Sequence, residues 1–271
     1  MATYYISECL AIKNENQYLF EHITDNMRAG IDHFYIFDDK SDIPVKDYMK
    51  EHHPELLQYC TITDIDESVW DPELERQTNV YTKNFLPNFG SETVWCAFTD
   101  TDEIWEGDLK ELCKNNEDLP GFSIDGIIHG CNGHAWVTGK TMKENFYDDV
   151  VTRWSYIKFL VQVKYLTEQR AHKTFMKDDL QEKIVHNPDG IKLHHYYYRS
   201  LEEFISKVKR GTLNKRLLLQ IWMFFVDNRS LKDEDIKAVM KKHNVKYTTH
   251  SPNEHNSIYS WSAKIESESK K

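Results

Sequence analysis

The stretch YYISECLAIKNENQYLFEHITDNMRAGIDHFYIFDD, residues 4–39, decides the fold. Tyr4–Ile12 is a largely apolar run that stops in the polar Lys13-Asn14-Glu15, the pattern of a buried strand entering a loop. Asn14 with Gln17 three residues on is a capping-box candidate, Leu19, Phe20, Ile23 and Met27 recur at helical spacing, and Gly30 supplies the stop. His33–Phe37 is a second strand, aromatic and β-branched, that ends at Asp38-Asp39. Strand, helix, strand in this order predicts a parallel pair joined by a right-handed crossover.

The alternation continues downstream, with a helix near 45–51, a strand near 57–62 and a further helix opened by Asp71-Pro72 and running toward Phe85. Thr93–Thr99 (TVWCAFT) is a third strong strand, and it runs directly into Asp100-Thr101-Asp102-Glu103. Acidic clusters thus close two strands at their carboxyl ends, the edge where open α/β sheets bind ligands. Glycines at 121, 126, 130, 133 and 139 loosen the pattern and predict short strands and functional loops over 122–170. Ser200 with Glu203 forms another capping box, followed by the apolar stripe Leu201, Phe204, Ile205 and Val208. Leu217–Val226 reads as a buried helix, 230–243 as an amphipathic one, and the tail after Pro252 as frayed.

Over 271 residues, 34 Lys and Arg stand against 44 Asp and Glu, a formal charge of 34 − 44 = −10. A chain that is 40% hydrophobic and 13% aromatic has ample core, which excludes a disordered protein. The acidic balance disfavours nucleic acid and anionic lipid as bulk partners, because both need a basic face. Five cysteines without a CxxC pair suggest neither a disulfide framework nor a structural zinc site. No signal peptide or membrane-spanning run is visible, so the expectation is a cytoplasmic protein, with peripheral membrane contact left open.

Three carboxylates within Asp100–Glu103 repel one another unless a counter-ion is near. A divalent cation with a preference for oxygen ligands would relieve that repulsion and also hold a diphosphate. A solvated acidic turn explains the same residues. Asp38 and Asp39 suit the base or ribose hydroxyls of a nucleoside, or else a turn or helix cap. No GxGxxG or GxxxxGK[ST] follows the first strand, which weakens dinucleotide and P-loop readings. Of His194 and His195, one could complete the metal shell while the other packs. His134 sits among the glycines 130 and 133, where a backbone approaches a ligand closely. Arg153, Arg170, His172, Lys173 and Lys177 form a basic interruption suited to phosphates, or to a solvated face.

Four blocks in register carry a family resemblance over about residues 9–211. They are Ala11–Glu15 with Tyr18-Leu19 and Gly30–Ile36 plus Asp38; Trp95-x-x-Phe98-x-Asp100-x-Asp102-Glu103; Gly130–His134; and His195-Tyr196 with Ser200–Phe204 through Lys209-Arg210-Gly211. Together they resemble glycosyltransferase family 92 and its family-2-like relatives. Departures are Ile104 where the family has an aromatic residue, Cys131-Asn132 in place of serines, and a Lys173–Lys177 element that lacks the family's proline.

The resemblance implies an α/β GT-A fold, a Rossmann-like sandwich with a central, mostly parallel sheet over 1–211. Residues 212–271 would be a helical extension packed on it. It further implies an inverting hexosyltransferase that moves a sugar from a nucleotide-sugar donor, by family habit a UDP-sugar, to a carbohydrate acceptor in glycan or surface polysaccharide synthesis. Asp100, Asp102 and His195 would hold Mn²⁺ or Mg²⁺; Lys13, Asn14, Glu15, Asp38, Asp39, Asp100, Arg170 and Lys173 would contact the donor. Asp148, Asp149 and Glu168 are candidates for the base that deprotonates the acceptor. The competing expectations are a metal-dependent phosphoesterase and a non-catalytic carbohydrate-binding protein that retains the fold.

Overall fold

In the computed structural model, β1 (Tyr4–Ile12), β2 (His33–Asp38), β3 (Cys60–Asp64) and β4 (Thr93–Phe98) lie side by side in the order β3-β2-β1-β4, all parallel. The structure describes residues 2–152, 155–209, 223–228, 230–249 and 261–265. The near-continuous apolar runs of β1, β2 and β4 follow from burial of both faces of this sheet. Ile6, Leu10, Phe34, Ile36, Trp95 and Ala97 pack on one face with Leu19 and Ile23 of helix α1 (Leu19–Ala29). The alternate residues Cys9, Tyr35, Phe37, Cys96 and Phe98 pack on the other with Tyr81 and Phe85. Beyond β4 the sheet turns mixed, continuing through β7 (Ile157–Gln162), β6 (Gly121–His129), β8 (Lys192–His195) and β5 (Glu103–Glu106). The α/β class with a parallel core is therefore as expected.

The chain divides into two compact units: residues 1–127 with 152–195, and residues 128–151 with 196–271. The first holds the parallel core. In the second, Val150–Val151 pairs with the end of β6, and helix Leu201–Lys209 opens with the expected Ser200–Glu203 box, Ser200 Oγ donating to Glu203 Oε2 at 2.6 Å. Helix Asp233–Lys242 precedes strand Val245–Thr249, which pairs antiparallel with Trp261–Ile265. Residues 223–227 are helical; 217–222 of the expected buried helix lie outside the described residues, as does Arg153. No described helix is long and apolar enough to cross a membrane.

Several local expectations are corrected. Asn14 does not cap α1: its φ is +54°, and its carboxamide closes onto Asp42, accepting from the Asp42 N–H at 2.7 Å. The helix instead follows a 3₁₀ turn over Asn16–Tyr18. Phe20 is 44% exposed, whereas Leu19 and Ile23 are buried as expected, together with the polar Glu21, His22 and Asn26. The strand expected from 57 begins at Cys60, because Pro54–Tyr59 winds into a 3₁₀ helix. Asp71 makes a turn by accepting from the Glu73 N–H, so the helix starts only at Arg76 and passes through a π-helical segment, Asn79–Phe85. The glycine-marked region, expected as short strands and loops, opens with a nine-residue strand, β6.

Gly107 follows β5 with φ +118°, and a Cβ there would lie 2.3 Å from the carbonyl oxygen of Gly190 and 2.7 Å from Ile191 Cδ1. Gly107→Ala is expected to cost about 3 kcal/mol, combining backbone strain with overlap against a backbone atom. The measurement is a lowered urea midpoint at unchanged slope; a midpoint equal to wild type would contradict this packing.

Candidate active site

The acidic sequence after β4 folds into a tight turn. The Glu103 N–H donates to the Asp100 carbonyl at 3.0 Å, and Glu103 Oε2 accepts from the Asp100 N–H at 2.8 Å. Glu103 then starts β5, whose antiparallel partner β8 places His195 opposite it. His195 Nε2 lies 3.5 Å from Asp102 Oδ1, and its Nδ1 lies 3.3 Å from Glu103 Oε1. Strand alternation sends His194 to the opposite face, with Nε2 3.1 Å from Glu106 Oε2. The turn lies at the carboxyl end of a parallel strand, the ligand-binding edge of such sheets.

Lys158 of β7 was not among the sequence candidates. Its ammonium is buried, 2.8 Å from Asp100 Oδ2 and 3.1 Å from Glu103 Oε2. Asp100 also accepts from the Gln77 carboxamide, so both of its oxygens are engaged. The repulsion within the acidic turn is therefore relieved in part by the chain's own cation. Burial alone would lower the Lys158 pKa, but Asp100 and Glu103 outweigh it and raise it. For Asp100, burial pushes upward and Lys158 prevails downward; for Glu103, burial prevails over Lys158 and His195, and its pKa is raised. The signal in the sequence was a lone lysine in the strand run IKFLVQ, a charge in an otherwise buried pattern. Nearby, His172 stacks on Tyr156 at 4.5 Å, and its pKa is lowered by burial and then by Lys158.

A second buried network supports the turn from beneath. Glu8, at the centre of β1 and fully buried, accepts from Thr99 Oγ1, from Trp105 Nε1 at 3.3 Å and from Asn26 Nδ2 at 3.0 Å. His22 Nε2 lies 3.3 Å from Glu8 Oε2. Asn26 Oδ1 in turn accepts from the Trp105 N–H at 2.8 Å. The residues flanking the acidic turn on both sides, Thr99 and Trp105, are thus tied through one carboxylate to β1 and α1.

The remaining candidates are placed as follows. Asp38 is buried, with Oδ1 accepting from the Ser41 N–H and Oδ2 from the Val45 N–H, each at 2.9 Å, so both oxygens serve the loop that starts the next helix. Asp39 makes a two-point ion pair with Arg76, whose guanidinium lies 4.9 Å from the Trp70 ring centre. Lys13 is exposed and Asn14 and Glu15 half-buried at the end of β1. Glu168 and Arg170 pair with each other at 2.5 Å, Arg170 also lies over Phe175, and Lys173 is exposed on the partner strand. In the second unit Asp148 is exposed, while Asp149 Oδ2 accepts from the Asn132 N–H at 2.6 Å and sits against Gly130, where a Cβ would come within 2.3 Å of it. His134 there is half-buried and edge-on to Phe146.

Among the described residues no group of three or more His, Cys, Asp and Glu side chains is gathered to hold a metal ion. Asp102 and His195 nevertheless supply an oxygen and a nitrogen donor side by side, both nearly buried. That pair fits an ion such as Mn²⁺ or Mg²⁺, which takes one or two protein ligands and fills its other positions with phosphate and water.

No protein-family model matches the chain, and no curated protein matches its sequence. Among solved structures it is similar to HddC from Yersinia pseudotuberculosis (10% identity, 70% of this chain and 93% of that one, TM-score 0.41). It is also similar to a putative glucose-1-phosphate thymidylyltransferase from Bacillus anthracis (10%, 78% and 98%, TM-score 0.37). A third is the galactosyltransferase LgtC in complex with donor and acceptor sugar analogs (10%, 70% and 87%, TM-score 0.37). Likenesses this distant concern general architecture and say nothing of this chain's chemistry.

Proposed function

We propose that the chain is a metal-dependent, inverting glycosyltransferase that moves a sugar from a nucleotide-sugar donor, with UDP as the first nucleotide to test, to a carbohydrate acceptor in glycan synthesis. The observation that carries this reading is the Asp102–His195 pair, 3.5 Å apart in the turn at the carboxyl end of β4. A divalent ion bound there would neutralise charge that develops on a departing diphosphate. Asp102 and His195 would hold it, with Glu103 Oε1 lying 3.3 Å from His195 Nδ1. Asp39 with Arg76, and the Lys13–Glu15 loop, lie at the ends of the neighbouring parallel strands, where a nucleoside would sit. Arg170 and Lys173 are the cations offered to its phosphates, and Glu168 the carboxylate offered as base; Asp148 and Asp149 belong to the second unit.

A thermal-shift screen of UDP- and GDP-sugars with and without Mn²⁺ tests the reading. A ligand at 100 times its Kd raises apparent stability by about 2.7 kcal/mol, several degrees for a chain of this size. The expected result is a shift with one nucleotide class that needs Mn²⁺. Phosphate release from simple esters with no nucleotide response would favour the phosphoesterase, and metal-independent stabilisation by free glycans the non-catalytic protein.

A further inference from the structure

We propose that Lys158 is the resident counter-charge of the acidic turn and that, by occupying Asp100 and Glu103, it limits the protein's grip on a divalent ion to Asp102 and His195. The ion then binds well only in company with a nucleoside diphosphate. This inference rests on the metal reading of the site given above.

The geometry of the ammonium carries it. Lys158 Nζ is buried within ion-pair distance of Asp100 Oδ2 and Glu103 Oε2, and the remaining Asp100 oxygen accepts from Gln77. For Asp100 to turn to a metal, Lys158, whose side chain is 1% exposed, would have to surrender a partner, which is strongly unfavourable. The ammonium also repels a second cation a few ångströms away. Asp102 and His195 alone make a weak site. The oxygens of a diphosphate bring both further ligands and the negative charge that Lys158 has cancelled. Without Lys158, three carboxylates would stand in the turn uncompensated and Asp100 Oδ2 would be released, so the bare ion should bind more tightly.

Titration of the intact protein with Mn²⁺ alone and with Mn²⁺ plus UDP or GDP, following the electron paramagnetic resonance signal of free Mn²⁺, tests this. Lys158→Met and Lys158→Gln, each verified as folded by circular dichroism, are expected to tighten binding of Mn²⁺ alone at least tenfold and to shrink the gain contributed by the nucleotide. Should neither variant fold, the Asp100→Asn and Asp102→Asn pair decides: Asp102→Asn removes Mn²⁺ binding, whereas Asp100→Asn weakens it by less than tenfold. A folded Lys158 variant with unchanged or weaker affinity for Mn²⁺ alone overturns the proposal, as does equal loss in the two aspartate variants. If wild type takes up no Mn²⁺ even with a nucleoside diphosphate, the metal reading itself falls and this inference with it.

Discussion

On the metal reading, Asp102→Asn is expected to abolish Mn²⁺-dependent stabilisation by the nucleotide sugar and to lower kcat by about 10³-fold or more. The substitution preserves size and one acceptor oxygen but removes the negative charge beside His195. Loss of about 4 kcal/mol of transition-state charge stabilisation corresponds to a thousandfold in rate. Because Asp102 is almost fully buried, circular dichroism and the ligand-free Tm of the variant are compared with wild type, so that a lost metal response is read on a folded protein. His195→Gln should follow it in the same direction. The measurements are turnover of the donor identified by the screen and the Mn²⁺-dependent shift of Tm. Full activity and an unaltered metal response in Asp102→Asn would remove the basis for a metal at this turn.

The second large effect is on stability. Glu8→Ala leaves the Thr99 hydroxyl, the Trp105 indole N–H, one Asn26 donor and a buried His22 without their shared acceptor. Breaking a buried ionic network from one side costs about 3–5 kcal/mol, a large part of a domain's net stability. Urea unfolding at neutral pH measures it, and a loss below about 1 kcal/mol would show that the network contributes little. The same network makes stability depend on pH. Burial lowers the His22 pKa, but Glu8, with smaller help from Glu103 and the Thr101 backbone, more than compensates and leaves it raised. A raised folded-state pKa means that the native state holds its proton more tightly than the unfolded chain. This contribution is complete below the unfolded histidine value of about 6.5 and is lost as pH rises through the folded-state pKa. Unfolding free energies across that range should therefore decline for wild type and flatten in His22→Gln. An unchanged slope in His22→Gln would assign the pH dependence to other groups.

Particular residues mark how far the sequence alone could be read. The order β1, α1, β2 and the acidic ends of β2 and β4 were legible, because strand and helix periodicities are local and Gly30 and the double acidic signals punctuate them. The apolar stripe of α1 holds at Leu19 and Ile23 and fails at Phe20, and the buried positions also include the polar His22 and Asn26, which meet Glu8 on the neighbouring strand. Asp38 and Asp39 stood at the right edge, but only the folded loops show their oxygens given to the Ser41 and Val45 amides and to Arg76. Local sequence thus determined the parallel α/β core and the acidic turn at its binding edge. Which charges meet there was decided by tertiary structure: Lys158, 55 residues beyond Glu103, and His195, 92 beyond it, reach the turn only through strand pairing. Strand periodicity specifies the face a residue takes, while its cross-strand neighbours depend on sheet order and register, which no local pattern encodes.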